Sequence, residues 1–81
     1  MTDVLVARFD KNRREVFDVR IREFKGHRNV DFRVYAENSQ GEFVPTSKGV
    51  SIKPGALRDV IRALYQAEAV AVREGILEPE G

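Results

Sequence analysis

Apolar and polar residues alternate strictly along two stretches of this chain. Phe17, Val19 and Ile21 interleave with Asp18, Arg20 and Arg22, and Val30, Phe32, Val34 and Ala36 interleave with Asn29, Asp31, Arg33 and Tyr35. A period of two belongs to a strand with one apolar and one polar face. Lys25-Gly26-His27 between them suits a tight turn, and Asn38-Ser39-Gln40-Gly41 suits the closing of a second hairpin. Two short strands are predicted next, Glu42 to Val44 ended by Pro45 and Val50 to Ile52, with Thr46-Ser47-Lys48-Gly49 as a turn between them. Val4 to Phe9 reads as an earlier strand, joined through the polar Asp10 to Arg14. The period then changes. Leu57, Val60, Ile61, Leu64, Ala67 and Ala71 recur at spacings of three and four, which is helical. Pro54 is tolerated in a first helical turn, and Gly75 is a natural terminator. The predicted helix runs from about Pro54 to Glu74, roughly 31 Å at 1.5 Å per residue. Its apolar content continues through Ala69-Val70-Ala71-Val72, farther than so small a sheet covers, and a second copy of the chain is the simplest cover. Leu77 to Gly81 is expected to fray. The fold class is α+β: an antiparallel sheet followed by one long C-terminal helix.

Length and composition narrow the function. Eighty-one residues make one domain, and a chain of that size offers little room for a deep cofactor cleft. Charged residues are 33% of the chain, and hydrophobic ones, at 42%, are too many for disorder. There is no cysteine and one histidine, which excludes disulfides, Cys-based zinc sites and multi-His metal centres. No apolar run approaches a membrane span, and Met1 to Phe9 does not resemble a signal peptide, so an intracellular location is expected, cytoplasm or nucleoid in a prokaryote and nucleus in a eukaryote. No phosphate-binding glycine loop occurs, and Ser39, Ser47 and Ser51 have only His27, in a basic turn, as a base. Paired carboxylates need a pocket that separates their pKa values, and a small open sheet supplies little of one. The expectation is a non-enzymatic protein with no cofactor and no metal.

Charge changes the picture further. The net charge is only +1, yet Arg8 to Arg33 carries nine bases against five acids, and Pro54 to the end carries three bases against five acids. Such asymmetry suggests an anionic partner for the first half. Arg20, Arg22 and Arg33 stand on the polar strand face, with Lys25, His27 and Arg28 at the first turn. Phe24 breaks the alternation of its strand and emerges with Arg20 and Arg22, and Tyr35 shares the parity of Arg33. Aromatic rings interleaved with bases on an open sheet suit single-stranded nucleic acid, whose backbone the cations track while its bases stack on the rings. A duller reading stands beside this one. Phe24 folds under the turn, Tyr35 covers the sheet edge, and Arg20, Arg22 and Arg33 pair across strands with Asp18, Glu23 and Asp31.

The ordered set Glu23-Phe24-Lys25-Gly26, Val30-Asp31-Phe32-Arg33-Val34-Tyr35, Gly41-Glu42, Pro45 and Lys48-Gly49-Val50-Ser51-Ile52, with Pro54 opening the helix, resembles the transcriptional positive cofactor 4 family. The likeness covers about Val16 to Leu64 and needs no gap from Glu23 to Ile52. It implies a curved four-stranded antiparallel sheet plus a helix, paired as a homodimer whose grooves bind single-stranded DNA or melted duplex without strong sequence preference. It implies one domain over residues 1–81, with a core of about 16–74. Family members include eukaryotic transcriptional coactivators and stand-alone bacterial and phage binders, and the lack of a Ser- and Lys-rich arm favours a prokaryotic or phage type. Phe24 matches a family aromatic that stacks on bases. Arg22, Lys25 and Arg33 match groove bases, and Lys48 matches a base in the turn before the last strand. Three features depart from the human-type pattern: Ala36 replaces a DNA-contacting tryptophan, Val44 and Ser47 replace bases, and His27 replaces a lysine. The groove is then either weaker or rebuilt from Tyr35, Arg28 and Arg20. The alternatives are an RNA-binding or RNA-chaperone role on the same face, and a protein-interaction module, acting on partners such as the transcription machinery, in which the basic face is incidental.

Overall fold

A computed structural model describes residues 3–80. Four strands, β1 (Val4–Asp10), β2 (Glu15–Phe24), β3 (His27–Glu37) and β4 (Phe43–Ile52), form one antiparallel sheet in the order β1-β2-β3-β4, and α1 (Pro54–Arg73) follows. An antiparallel sheet with one C-terminal helix is the fold that the alternating and helical patterns imply, and four is the strand number that the resemblance implies.

Lys25 and Gly26 join β2 to β3 with positive φ angles of 51° and 80°. Two successive left-handed residues make the tight loop whose twist matches that of a hairpin, and Gly26 takes its angle without strain. The turn locks the register Phe24↔His27, Arg22↔Asn29, Arg20↔Asp31 and Asp18↔Arg33. The even positions of β2 therefore share a face with the odd positions of β3. The opposite face is apolar and carries an aromatic cluster, with Phe17 5.3 Å from Phe9 and 5.5 Å from Phe32, ring centre to ring centre.

The fourth strand corrects the expectation of two short strands around a turn. Phe43 to Ile52 is continuous. Pro45 does not stop it, because β4 lies at the edge of the sheet, where a missing N–H is tolerated. Thr46, Ser47 and Lys48 bulge between the pairs Tyr35↔Pro45 and Arg33↔Gly49. The bulge is held by the Thr46 hydroxyl, which donates to the Val34 carbonyl at 2.7 Å. Gly49 is no turn residue: a Cβ there would lie 2.7 Å from the Phe32 carbonyl oxygen, so glycine is what lets β4 approach β3.

Burial is greatest on the polar face, which the pattern alone assigns to water. Asp18 is wholly buried and Tyr35 is 6% exposed. Asp18 takes bonds from Arg8 Nη2 at 2.8 Å and from Arg20 Nη2 at 2.7 Å, and its partners Arg8 and Arg20 also lie over the Tyr35 ring at 5.3 and 4.8 Å. Asp31 is nearly as buried and accepts two bonds of 3.0 Å from Arg33. Arginine and aspartate at positions i and i+2 meet because alternate residues share a strand face. Arg20 and Arg33 thus pair along their own strands and not across them, and Arg22 pairs with Asp3 at 3.4 Å, not with Glu23.

Burial raises the Asp18 pKa, but the hydrogen bonds and charges of Arg20 and Arg8 outweigh it and hold the carboxyl below its ordinary value. A carboxyl lowered in the folded state stabilises fully above its unfolded pKa, about 3.9, and that contribution disappears as pH falls through the folded value. The urea midpoint is accordingly expected to be insensitive to Asp18 between pH 7 and 5 and to fall below about pH 4. Replacing Asp18 with asparagine should remove that part of the acid transition.

Helix α1 opens at Pro54, as expected, and ends at Arg73. Gly75, at φ 78°, closes it, with the Ile76 N–H reaching the Ala71 carbonyl at 2.9 Å. None of its residues is buried, and Ile61, Leu64, Tyr65 and Val70 lie exposed on it. No regular structure follows it through residue 80. Among the described residues, no helix is long and apolar enough to cross a membrane.

Candidate nucleic-acid interface

Phe24 closes β2, and the hairpin turn begins immediately after it. Its ring is 68% exposed, so it does not fold under the turn as core. The Lys25 ammonium stands 5.3 Å from the ring centre, over one of its two faces. Depressions lie on either side. One, of about 290 Å³, is lined by Arg22, Glu23, Phe24, Asn29, Asp31, Arg33 and Ser51, two bases and two acids. The other, of about 430 Å³, lies between the turn and the start of α1 and is lined by Phe24, Lys25, His27, Arg28, Asn29, Lys53 and Pro54. An exposed ring at the rim of a hollow lined by Lys25, His27, Arg28 and Lys53 can stack on a planar, apolar group while the cations hold an anion beside it.

The structure brings Arg22, Phe24, Lys25, His27, Arg28 and Arg33 to this end of the sheet. Their states differ. Arg22, Lys25, His27 and Arg28 are exposed. Arg33 is committed: beyond its two bonds to Asp31, its Nη1 donates to the Thr46 carbonyl at 3.0 Å. Hydrogen bonding to Asp31 raises its pKa further, against the opposing pull of burial. It is a clamp on the β4 bulge, with its charge matched by Asp31.

Tyr35 corrects the idea of a second stacking ring, because Arg8 and Arg20 cover it. Arg20 is likewise spent on Asp18 and Tyr35 and is not free to rebuild a groove; its hydrogen bond to Asp18 raises its pKa. Lys48 is exposed, but on a strand and at the other end of the sheet. There it adds to the pull of Asn12 and Lys11, whose hydrogen bonds hold the Glu15 carboxyl below its ordinary value. Glu15 opens β2 and Phe24 closes it, about 30 Å apart at 3.3 Å per residue. Ala36 pairs with Glu15 and Val44 on the apolar face, so the missing tryptophan leaves no gap beside Phe24.

Sequence reasoning missed Lys53. Its signal was available: extending the pair Val30↔Ile52 by one step sets Lys53 opposite Asn29, beside the hairpin turn. Salt dependence separates the solvent-exposed cations from the one held against a buried carboxylate. Lys25→Ala and Arg22→Ala are each expected to flatten the log–log salt dependence of single-strand binding by about 0.7. Arg33→Ala should leave that slope unchanged and lower the thermal midpoint instead.

The chain is thus an open four-stranded sheet with a trailing helix and an aromatic–basic hairpin tip. Residues 10–63 match the family described as Transcriptional Coactivator p15 (PC4), and the chain belongs to that family. Members of the family are nucleic-acid-binding and non-enzymatic, and they generally bind single-stranded DNA. Two crystal forms of BPSL1147, a PC4 homolog from Burkholderia pseudomallei K96243, resemble the chain at 33% identity over 83% of its length. The orthorhombic form has a TM-score of 0.76 and is covered over 90% of its chain; the tetragonal form has 0.77 and 98%. The likeness to a prokaryotic type is therefore upheld. No curated protein matches the chain.

Proposed function

We propose that this protein is a non-enzymatic, homodimeric, single-stranded-DNA-binding protein with little sequence preference, acting in transcription. The observation that carries the reading is Phe24, exposed at the rim of a hollow lined by Lys25, His27, Arg28 and Lys53, on a chain of this family. The bases of a single strand stack on that ring, and Arg22, Lys25, His27, Arg28 and Lys53 neutralise its phosphates. Stacking serves any base, since each has a π face, so affinity is tolerant of sequence. Arg20, Arg33 and Tyr35 support the sheet that carries this tip, and Lys48 meets only a strand long enough to run the length of the sheet. A competition between DNA and RNA single strands of equal length against a labelled oligo-dT tests the choice of nucleic acid. DNA is expected to displace the label at lower concentration; preferential displacement by RNA would overturn the reading in favour of an RNA-binding role.

The homodimer is supported by the helix. Ile61, Leu64 and Tyr65 lie exposed in one hollow on its surface, and a chain this short gains stability by covering such a stripe with a second copy. Sedimentation equilibrium is expected to return twice the mass of the chain. Leu64→Asp should shift it towards the single-chain mass at micromolar concentration, and a wild type that sediments as a monomer would contradict the dimer.

A further inference from the structure

We infer that the hollow between the β2–β3 turn and the start of α1 is a phosphate subsite in which Lys53 is a constant cation and His27 a titratable one, so that the number of phosphates held changes with pH. The inference deepens the reading above and rests on it.

Four basic side chains from three parts of the fold converge on this hollow. Lys25 comes from the turn, His27 and Arg28 from the start of β3, and Lys53 from the junction of β4 and α1. Its remaining lining is Phe24, Asn29 and Pro54, none of them acidic. On the neighbouring stretch of the same face stands Arg22, itself basic. Of the nearby acids, Asp31 is held by Arg33, and Glu23 lines the adjoining hollow and not this one. An anionic group is therefore the ligand this lining favours, and the exposed Phe24 ring at its rim selects one that also carries a planar group. A nucleotide phosphate in a single strand meets both demands.

Histidine is the residue type whose charge ordinarily changes between pH 5 and 8. With a phosphate in the hollow, the anion favours the protonated ring. Binding is therefore linked to proton uptake at His27, and affinity for a single strand rises as pH falls. The sign is fixed by the anion, because protonation adds a positive charge beside a negative ligand.

The test is fluorescence anisotropy of a labelled oligo-dT across a salt series at pH 8.0 and pH 5.5. Neither thymine nor the phosphodiester titrates between these values, so any change belongs to the protein. The wild-type slope is expected to be steeper at pH 5.5 by about 0.7, the increment of one added phosphate contact on a single strand. His27→Lys is expected to hold the steeper slope at both pH values, and His27→Ala the shallower one. Lys53→Ala should flatten the slope by about 0.7 at both, keeping the pH difference. These side chains are exposed, so thermal melts of the variants should match wild type.

A pH difference that survives unchanged in His27→Ala would overturn the inference. So would a Lys53→Ala slope equal to wild type in a protein that still loses affinity on Phe24→Ala; in that case single-strand binding would stand without this subsite. A wild type that binds no oligo-dT at either pH would overturn the binding reading and the subsite together.

Discussion

Phe24→Ala is expected to weaken single-strand binding by about 1–3 kcal/mol, the contribution of one base stacked on an aromatic side chain. In dissociation constant that is roughly a 5- to 150-fold loss. The salt slope should not move, because no cation is removed. Nor should the fold, since the ring is mostly in water and the turn is set by the backbone of Lys25 and Gly26. Phe24→Tyr should bind nearly as wild type, because the stacking surface survives. The pair separates stacking from charge: Lys25→Ala changes the slope, Phe24→Ala only the intercept. A Phe24→Ala protein that binds as wild type would remove the ring from the interface.

Asp18→Asn is expected to have the opposite profile, with a large loss of stability and little effect on binding by the folded protein. Asparagine keeps the shape but removes the charge that faces two guanidinium groups, and those groups still cover Tyr35. Breaking a buried ion pair from one side destabilises by about 3–5 kcal/mol. Arg8 and Arg20 each retain some contact with water, so the lower end, about 3 kcal/mol, is expected here. For a domain of this size that corresponds to a fall of roughly 12–24 °C in Tm. The comparison must be made at one protein concentration, because dimerisation couples stability to it. A midpoint within two or three degrees of wild type would mean that the Arg8–Asp18–Arg20 lattice adds little to the fold.

The elements that alternation and helical spacing specify were legible before any coordinates. The β2 and β3 strands carry three and four clean alternations, and a half-buried strand needs no more than that to declare itself. The parity of Phe24 was enough to place it with Arg22, since a strand sends alternate residues to opposite faces. The unity of β4 was not legible. Pro45 and Gly49 both read as breaks, and only the edge position of the strand and the close approach of β3 at Gly49 turn them into parts of it. The buried polar face was missed for a different reason. An arginine beside an aspartate looks solvated when exposure cannot be seen, although the repeat of Asp-x-Arg at Asp18–Arg20 and Asp31–Arg33 on paired strands was a usable sign of internal neutralisation. The same blindness hid that Arg20, Arg33 and Tyr35 are held by contacts within the sheet. Lys53 escaped because it belongs to neither the alternating nor the helical pattern, and its place beside the turn depends on register between β3 and β4.

The most direct measurement is the anisotropy of a labelled oligo-dT of about twenty nucleotides titrated with the wild-type protein at low and moderate salt, with unlabelled duplex of equal length as competitor. Saturable binding that weakens as salt rises, and that the duplex fails to displace, is the expected result. Absence of binding at low salt by a protein that still sediments as a dimer would contradict it, and the exposed ring and its flanking bases would then belong to a protein partner.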